Sequence, residues 1–278
     1  MTSQVRGSVE RDFYSNNAWD EDSWVKVIAV EYEQLTQRYP FSEKFQPLAR
    51  KGELRLLDVG SGTGIFPSYL DKLLPADLVF VTDFLDISEA SLRLAEKRFQ
   101  NLAHFRAARA IHGRIEDIPS LLSDQRYEVI WAIHSFTTVD IGKMKDVLCF
   151  LAGRLAPLGY LFFYQLTKTS AYQDLHDYYR STHPNGKEVR RFMEFEDSAE
   201  ILEQTGMPFE THEFVFDHCV DATDTEILEK YLQKCVLDDS LDAVEFFSPL
   251  LPKYLDKKAG VYHFPQSVNL GVLRAPGN

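Results

Sequence analysis

From Leu54 onward, short apolar runs alternate with helical stretches, and this alternation constrains the fold more than any other feature of the sequence. The runs are bounded by turn residues and are apolar on both faces, as expected of strands covered from two sides. Parallel strands joined by crossover helices produce this pattern. We therefore predict an α/β fold with a doubly wound, mostly parallel sheet, whose first strands lie near residues 54–59, 78–86, 107–113, 127–135 and 159–167.

The segments outside this alternation predict additional elements. Residues 22–39 follow a helical period, residues 171–206 are typical of a helix, a polar loop and a second helix, and residues 223–258 again favour helix. A strand near 207–220 and a β-rich run over 260–275 bring the predicted sheet to seven strands, the last of them antiparallel. We predict an N-terminal helical lid or substrate segment over 1–50, and a core over 51–278 with helical, substrate-binding insertions near 168–205 and 223–258.

Composition bounds the class of partner. The 278 residues include 42 acidic and 30 basic side chains, a formal charge of -12, which disfavours nucleic acid and anionic membrane surfaces and suits a small cationic amine. The three cysteines lack metal-ligand spacing, so we predict no metal site, no disulfide framework and a reducing compartment. The N-terminal residues lack the apolar core of a signal peptide, and no apolar run is long enough for a membrane span. We therefore expect a cytoplasmic protein.

The stretch 58-DVGSGTG-64 joins the first predicted strand to a helix. Its glycines remove side chains where the backbone turns sharply and approaches a ligand, and the helix that follows offers free N–H groups. A nucleotide-like ligand suits such a turn, although a turn that serves packing alone remains an alternative. Asp58 disfavours a dinucleotide, because its carboxylate would lie near a negative pyrophosphate, and favours a ligand with a positive amino group.

Further candidates lie at the ends of the next strands. Asp86 follows the last glycine of the turn at the spacing where an acid commonly accepts hydrogen bonds from ribose hydroxyls, with Asp83 as the second choice. An alternative is that Asp86 caps the next helix, for which Ser88 is an equal candidate. The loop 113-GRIEDIP-119 presents two acids, either to an adenine amino group or to solvent. The fourth strand brings His134 to the carboxyl edge of the sheet, and the ordinary pKa of histidine lies near neutrality.

Taken in order, the glycine turn, Asp86, the GRIEDIP loop, the strand ending WAIHSF and the passage LAPLGYLFFYQL resemble the motifs of class I S-adenosylmethionine (SAM)-dependent methyltransferases, over residues 54–166. The resemblance implies SAM as the cofactor. It also implies that the glycine turn wraps the methionine part, that Asp86 holds the ribose, and that the acidic loop meets the adenine. The cofactor-binding residues implied in this way are Asp58, Gly60, Ser61, Gly62, Gly64, Asp86, Ile87, Glu116, Asp117 and Ile133.

A narrower resemblance covers the rest of the chain. Segments 163–184, 230–240 and 260–275 are similar, in order and spacing, to the C-terminal half of histamine N-methyltransferase and its relatives. That resemblance implies an acceptor side formed by Thr137, Thr138, Tyr172, His176 and Gln266, with Glu21 as the carboxylate of an N-terminal helix. We add Tyr14 and Trp19 to the acceptor residues, because their segment has no sheet strand to cover.

The predicted function is SAM-dependent N-methylation of a small-molecule amine or N-heteroaromatic compound, histamine-like or a secondary metabolite. The predicted catalytic residues are His134, as a proton acceptor, and Glu21. Small-molecule O-methylation is the first alternative, since the cofactor half would be the same. An NAD(P)-dependent oxidoreductase and a non-catalytic cofactor-binding module are the others. The expected partner is the small-molecule amine, with no nucleic acid or membrane, and the chain is expected to be a monomer or a weak homo-oligomer.

Overall fold

The computed structural model describes Phe13, residues 21–49 and residues 52–276. Helices form where the sequence predicts them, and two further helices of the described residues, Phe41–Ala49 and Ile118–Leu121, were not predicted. The helices in chain order are α1 Glu21–Arg38, α2 Phe41–Ala49, α3 Ile65–Leu70, α4 Glu89–Phe99, α5 Ile118–Leu121, α6 Ile141–Gly153, α7 Ala171–Thr182, α8 Phe195–Thr205, α9 Thr225–Val236 and α10 Ala243–Phe247.

The strands form one sheet in the order β3-β2-β1-β4-β5-β8-β6, with β7 paired to β8. The sheet has eight strands, so the prediction of seven was wrong. The additional strand is β7, whose two residues are too few to create a hydrophobic pattern. The strands are β1 Leu54–Val59, β2 Phe80–Asp86, β3 Phe105–His112, β4 Tyr127–Ile133, β5 Leu155–Leu166, β6 Phe209–Asp221, β7 Leu255–Asp256 and β8 Val261–Arg274.

Strand direction follows the prediction. Strands β1 to β5 are parallel to one another. Strand β8 is antiparallel to β5, because the backbone bonds that join them pair Gly159 with Ala275 at one end and Thr167 with Ser267 at the other. The predicted antiparallel terminal strand is therefore confirmed, and it lies between β5 and β6.

The chain divides into two compact units. Of the described residues, unit 1 comprises Phe13 and residues 21–32, 166–192 and 214–268. Unit 2 comprises residues 33–165, 193–213 and 269–276, apart from residues 50 and 51. Unit 2 contains β1 to β5 nearly complete, while unit 1 contains α7, α9 and α10.

In unit 2, the apolar faces of β1, β4 and β5 form a core with α6 and α8. Side-chain caps set the starts of the helices around it: Ser88 accepts the Ser91 amide at α4, and Asp140 accepts the Gly142 amide at α6. Packing against β5 is close at Gly271 of β8, where an added Cβ would lie 2.0 Å from the ring of Phe163. No helix in the described part of the chain has the length and apolar character that crossing a bilayer requires.

Candidate cofactor site and acceptor residues

The glycine turn of unit 2 is bonded to the end of β2. The amides of Gly60 and Ser61 both donate to the carbonyl oxygen of Leu85, at 2.8 and 3.0 Å. The next amide, that of Gly62, donates to the Asp86 carboxylate at 2.8 Å. Three successive N–H groups of the turn are therefore held by two successive residues of the neighbouring strand.

The three glycines of the turn have different surroundings, although all have positive φ (68°, 53° and 72° for Gly60, Gly62 and Gly64). A Cβ on Gly60 would lie 2.3 Å from the Cβ of Ser135, and one on Gly64 would lie 3.0 Å from the ring of Phe99. A Cβ on Gly62 would meet no protein atom within 4 Å.

These surroundings change the role expected of Gly60, which the resemblance places among the cofactor-binding residues. Its missing side chain makes room for Ser135 rather than for a ligand, so a substitution there disturbs packing first. The open space lies beside Gly62, where no protein side chain covers the backbone of the turn. The turn therefore fits the close approach of a nucleotide-type cofactor at Gly62.

Asp86 ends β2 and is half-buried. Its Oδ1 accepts the Ser88 amide at 2.8 Å, while its Oδ2 accepts the Gly62 amide. Ser88, and not Asp86, caps α4. Since a carboxylate oxygen has two lone pairs, each can hold an amide and a hydroxyl together. The predicted ribose role is compatible with these contacts and stays a prediction.

Asp83 does not serve as a second ribose candidate. It is 2% exposed in the interior of β2, and its carboxylate receives both Nε and Nη2 of Arg109, at 3.1 and 2.5 Å. The hydroxyl of Tyr127 donates to the same carboxylate at 2.8 Å. This bidentate pair joins β2 to β3 and has a structural role.

Asp58, the last residue but one of β1, is 4% exposed. Burial raises the pKa of its carboxyl from 3.8 to about 8, the neighbouring Trp131 indole lowers it in part, and the negative charge of Asp86 raises it further. The sequence led us to expect a negative charge at this position. Burial instead favours the neutral acid at this position.

The acidic loop after β3 forms a 3-10 turn, Ile115–Asp117. Glu116 is mostly buried and accepts hydrogen bonds from Arg114 Nη2 at 3.1 Å and from the amide of Asp140 at 3.3 Å. Asp117 is exposed and occupies the N-cap position of α5 without a side-chain hydrogen bond to that helix. Glu116 therefore joins the loops that follow β3 and β4, and an adenine contact by either acid stays a prediction.

The end of β4 lies beside the glycine turn through Ser135. Ile133 is the last residue of β4, and His134 follows it with φ 58°, an uncommon conformation for a residue with a side chain. The His134 amide donates to the Tyr164 carbonyl at 2.8 Å, and its ring lies 4.8 Å from that of Tyr164, edge to face. Local backbone geometry thus fixes the direction of His134 at the carboxyl edge of the sheet.

Other predicted residues of unit 2 lie nearby in the chain. Thr137 and Thr138 form a 3-10 turn after His134, and Thr137 is buried with its carbonyl accepting the Met193 amide at 2.8 Å. At the end of β2, the carbonyl of Ile87 contacts Nε2 of His112 at 2.9 Å.

Three of the predicted acceptor residues are described in unit 1, and all three contact or adjoin α9. The Tyr172 hydroxyl donates to the Lys234 carbonyl at 2.8 Å. His176 is fully buried, stacks on Phe192 with the ring centroids 3.5 Å apart, and has a pKa lowered by burial to about 4. His176 is therefore neutral near pH 7. Gln266 donates to the Tyr231 hydroxyl at 3.3 Å.

The predictions for Tyr14 and Trp19 lie outside the described residues. For Glu21 the structure describes the start of α1 but not the side chain. Their acceptor roles stay predictions.

Sequence reasoning missed a buried polar chain in unit 1. Nε2 of His218 contacts Oε1 of Glu31 at 2.5 Å, and its Nδ1 lies 3.1 Å from the Tyr231 hydroxyl. The Tyr231 hydroxyl accepts from Gln266, whose Oε1 in turn accepts from Ser170 at 2.9 Å. All five side chains are at most 3% exposed. The signal in the sequence was a carboxylate, Glu31, on the apolar stripe of α1.

No group of three or more His, Cys, Asp or Glu side chains within the described ranges is arranged to hold a metal ion.

A parallel sheet with an antiparallel β8, and a glycine turn after β1 held by an acid at the end of β2, define the Rossmann-like fold of class I methyltransferases. A model of the Methyltransferase domain family matches residues 31–211, which is more than half of the sequence. The chain belongs to this family. It is a methyltransferase.

Solved structures share the fold at low sequence identity. Magnesium protoporphyrin IX methyltransferase from Synechocystis, solved with bound S-adenosylhomocysteine (SAH), has a TM-score of 0.50 and 13% identity over 99% of each chain. A SAM-dependent methyltransferase from Methanosarcina mazei has a TM-score of 0.50 and 11% identity, over 86% of this chain and 99% of its own. The YcgJ protein from Bacillus subtilis has a TM-score of 0.53 and 12% identity, over 85% and 99%. No curated protein matches the sequence.

Proposed function

We propose that the protein methylates a nitrogen atom of a small-molecule amine or N-heteroaromatic compound. The observation that carries the proposal is the buried carboxylate of Glu31 in unit 1, held beside the imidazole of His218. A carboxylate in a site that excludes water attracts a basic nitrogen more strongly than it does in bulk solvent. The formal charge of -12 adds long-range attraction for a cation.

The narrower resemblance to histamine N-methyltransferase supports the same class of acceptor. Tyr172, His176 and Gln266, which that resemblance implies on the acceptor side, all belong to unit 1. Gln266 is joined to His218 by hydrogen bonds through Tyr231, and Nε2 of His218 contacts the Glu31 carboxylate. A site with both a carboxylate and an amide suits a nitrogen heterocycle or an amine with a second polar group.

When bound, SAM supplies an electrophilic methyl group on a sulfonium sulfur. The chain's own residues mainly bind and orient, an effect that accounts for several orders of magnitude in rate. On our proposal Gly62 and Asp86 hold the cofactor, and His134 takes the proton that the acceptor nitrogen loses. The conformation of His134 fixes where its imidazole points, as a proton acceptor requires.

Product identification with labelled SAM tests the proposed acceptor. The protein is incubated with SAM carrying a deuterated methyl group and a library of primary amines, imidazoles, pyridines and phenols, and the products are analysed by mass spectrometry. We expect label on nitrogen. Label only on phenol or alcohol oxygen would replace the proposal with O-methylation. Tight SAH binding with no labelled product would favour a non-catalytic cofactor-binding module, and binding of NAD instead of SAH would favour an oxidoreductase.

Two variants at one position separate substrate contact from packing on the acceptor side. Tyr172→Phe removes only the hydroxyl that donates to Lys234, while Tyr172→Ala also removes a ring that lies 5.8 Å from that of Phe192. If the ring contacts the acceptor, Tyr172→Ala raises KM for the amine about tenfold or more, Tyr172→Phe changes it little, and neither alters SAH affinity. Equal KM values for all three proteins would remove Tyr172 from the acceptor site.

A cytoplasmic location, and a chain that is a monomer or a weak homo-oligomer without nucleic-acid or membrane partners, belong to the same proposal. They are supported by the acidic composition and by the free cysteines Cys149, Cys219 and Cys235.

A further inference from the structure

Asp86 combines two kinds of contact that a ribose acceptor alone does not need. Its Oδ1 accepts the amide of Ser88, two residues ahead, and this bond shapes its own turn. Its Oδ2 accepts the amide of Gly62, 24 residues away in the chain. The second bond reaches across from β2 to the turn that follows β1.

The Gly62 bond differs from the other two bonds of the turn. The amides of Gly60 and Ser61 donate to the backbone carbonyl of Leu85, so these bonds persist whatever side chain stands at position 86. The Gly62 amide is held by a side chain, and a substitution at Asp86 removes its partner. Gly62 is also the glycine whose Cβ position is open, where the cofactor can approach closely.

We propose that Asp86 positions the glycine turn for the methionine half of SAM by holding the Gly62 amide, in addition to accepting the ribose hydroxyls. Glycine adopts several backbone conformations readily, and the bond to a charged carboxylate keeps Gly62 in one of them, at φ 53°. Loss of the carboxylate would therefore weaken both halves of the cofactor site. This inference rests on the cofactor site and is independent of the acceptor.

The test is a cycle of two proteins and two ligands, measured by titration calorimetry. The proteins are the wild type and Asp86→Ala, and the ligands are SAH and its 2′,3′-dideoxy analogue, which lacks the ribose hydroxyls. If Asp86 also positions the turn, Asp86→Ala binds the dideoxy analogue about tenfold more weakly than the wild type does. Equal affinity of the two proteins for the analogue would overturn the proposal and leave Asp86 as a ribose acceptor only.

Hydrogen exchange in the ligand-free protein provides a second readout. Asp86→Ala should speed exchange of the Gly62 amide about tenfold or more, while the Gly60 amide, bonded to Leu85, keeps its wild-type rate. Unchanged exchange at Gly62 would overturn the positioning role. Asp86→Asn, which keeps the shape and one acceptor oxygen, gives the same comparison if the alanine variant is too unstable, with a smaller increase expected.

Asp221→Ala is the matched control. Asp221 ends β6 and accepts the amide of Thr223, two residues ahead, at 2.8 Å, as Asp86 does with Ser88 at the end of β2. Asp221→Ala therefore removes the same local turn bond without a link to the glycine turn, and we expect wild-type affinity for both ligands. If the wild type does not bind SAH, both the cofactor assignment and the positioning role of Asp86 are wrong. If the wild type binds SAH normally but methylates no amine of the library, only the proposed acceptor is wrong, and the positioning role of Asp86 is unaffected.

Discussion

The buried carboxyl of Asp58 makes folding stability depend on pH in a way that one substitution can isolate. Its pKa is raised from 3.8 to about 8 by burial, so between these values the folded chain keeps a proton that the unfolded chain has lost. A group with a raised pKa contributes stability that is fully present below its unfolded value and is lost as the pH rises toward its folded value. Asp58 thus lowers the free energy of unfolding progressively from about pH 4 to pH 8.

The magnitude follows from the linkage relation. One extra proton bound by the folded state lowers the free energy of unfolding by about 1.4 kcal/mol per pH unit, or roughly 3 kcal/mol between pH 5 and pH 7. Asp58→Asn has the shape of the neutral acid and cannot ionise, so position 58 no longer lowers its free energy of unfolding as the pH rises. The stability of Asp58→Asn relative to the wild type should therefore rise by about that amount over the same interval.

Urea unfolding followed by tryptophan fluorescence at pH 5, 6 and 7 provides the measurement, because titration of all other groups cancels in the difference between the two proteins. Asp77→Asn, at an exposed position, is the control, and its difference from the wild type should stay nearly constant. Parallel stability profiles for Asp58→Asn and the wild type would show that Asp58 is ionised in the folded protein, and would refute the reasoning.

Three further outcomes are expected. Gly60→Ala should lower the melting temperature through both its positive φ and the clash at its Cβ, whereas Gly62→Ala, which has the strain of a positive φ without a clash, should lower it less but bind SAH at least tenfold more weakly; equal effects in calorimetry would contradict this division. His218→Ala should cost about 3–5 kcal/mol in urea unfolding, since it leaves the buried Glu31 carboxylate uncompensated, and a loss below about 1 kcal/mol would mean that the Glu31 carboxyl is not charged. Leu158→Gly should raise stability by about 0.5 kcal/mol, because Leu158 has φ 67° and is 41% exposed; a loss would mean that its side-chain contacts outweigh backbone strain.

The fold could be predicted wherever a pattern of apolar residues was long enough to show its period. Strand β1 has the predicted bounds, and α1 differs from the prediction by one residue at each end. Strand β5 was predicted to start at Gly159 but begins at Leu155, because the left-handed residue Leu158 lets one strand continue through an irregular register with β4. A pattern read from the sequence does not contain that backbone conformation.

The site could be predicted in part. The glycine turn is one continuous motif, and Asp86 follows it at a regular spacing. Their proximity therefore follows from the order of the parallel strands. The contact of Glu31 with His218 joins α1 to β6, and no spacing rule relates residues so far apart in the chain. The different surroundings of Gly60 and Gly62 depend on where Ser135 lies, which only the packed structure reveals.

The place of β8 in the sheet has a consequence for how the chain is made. Strand β5, which pairs with β4 on its other side, and strand β6 are both synthesised before β8, the strand that lies between them. The hydroxyl of Ser170, just after β5, donates to Gln266, which is synthesised 96 residues later. Until that stretch leaves the ribosome, two strands carry open edges, which are the surfaces that pair wrongly with other nascent chains. We expect a stop codon placed before Val261 to yield a product that chaperones retain and that aggregates when they are depleted.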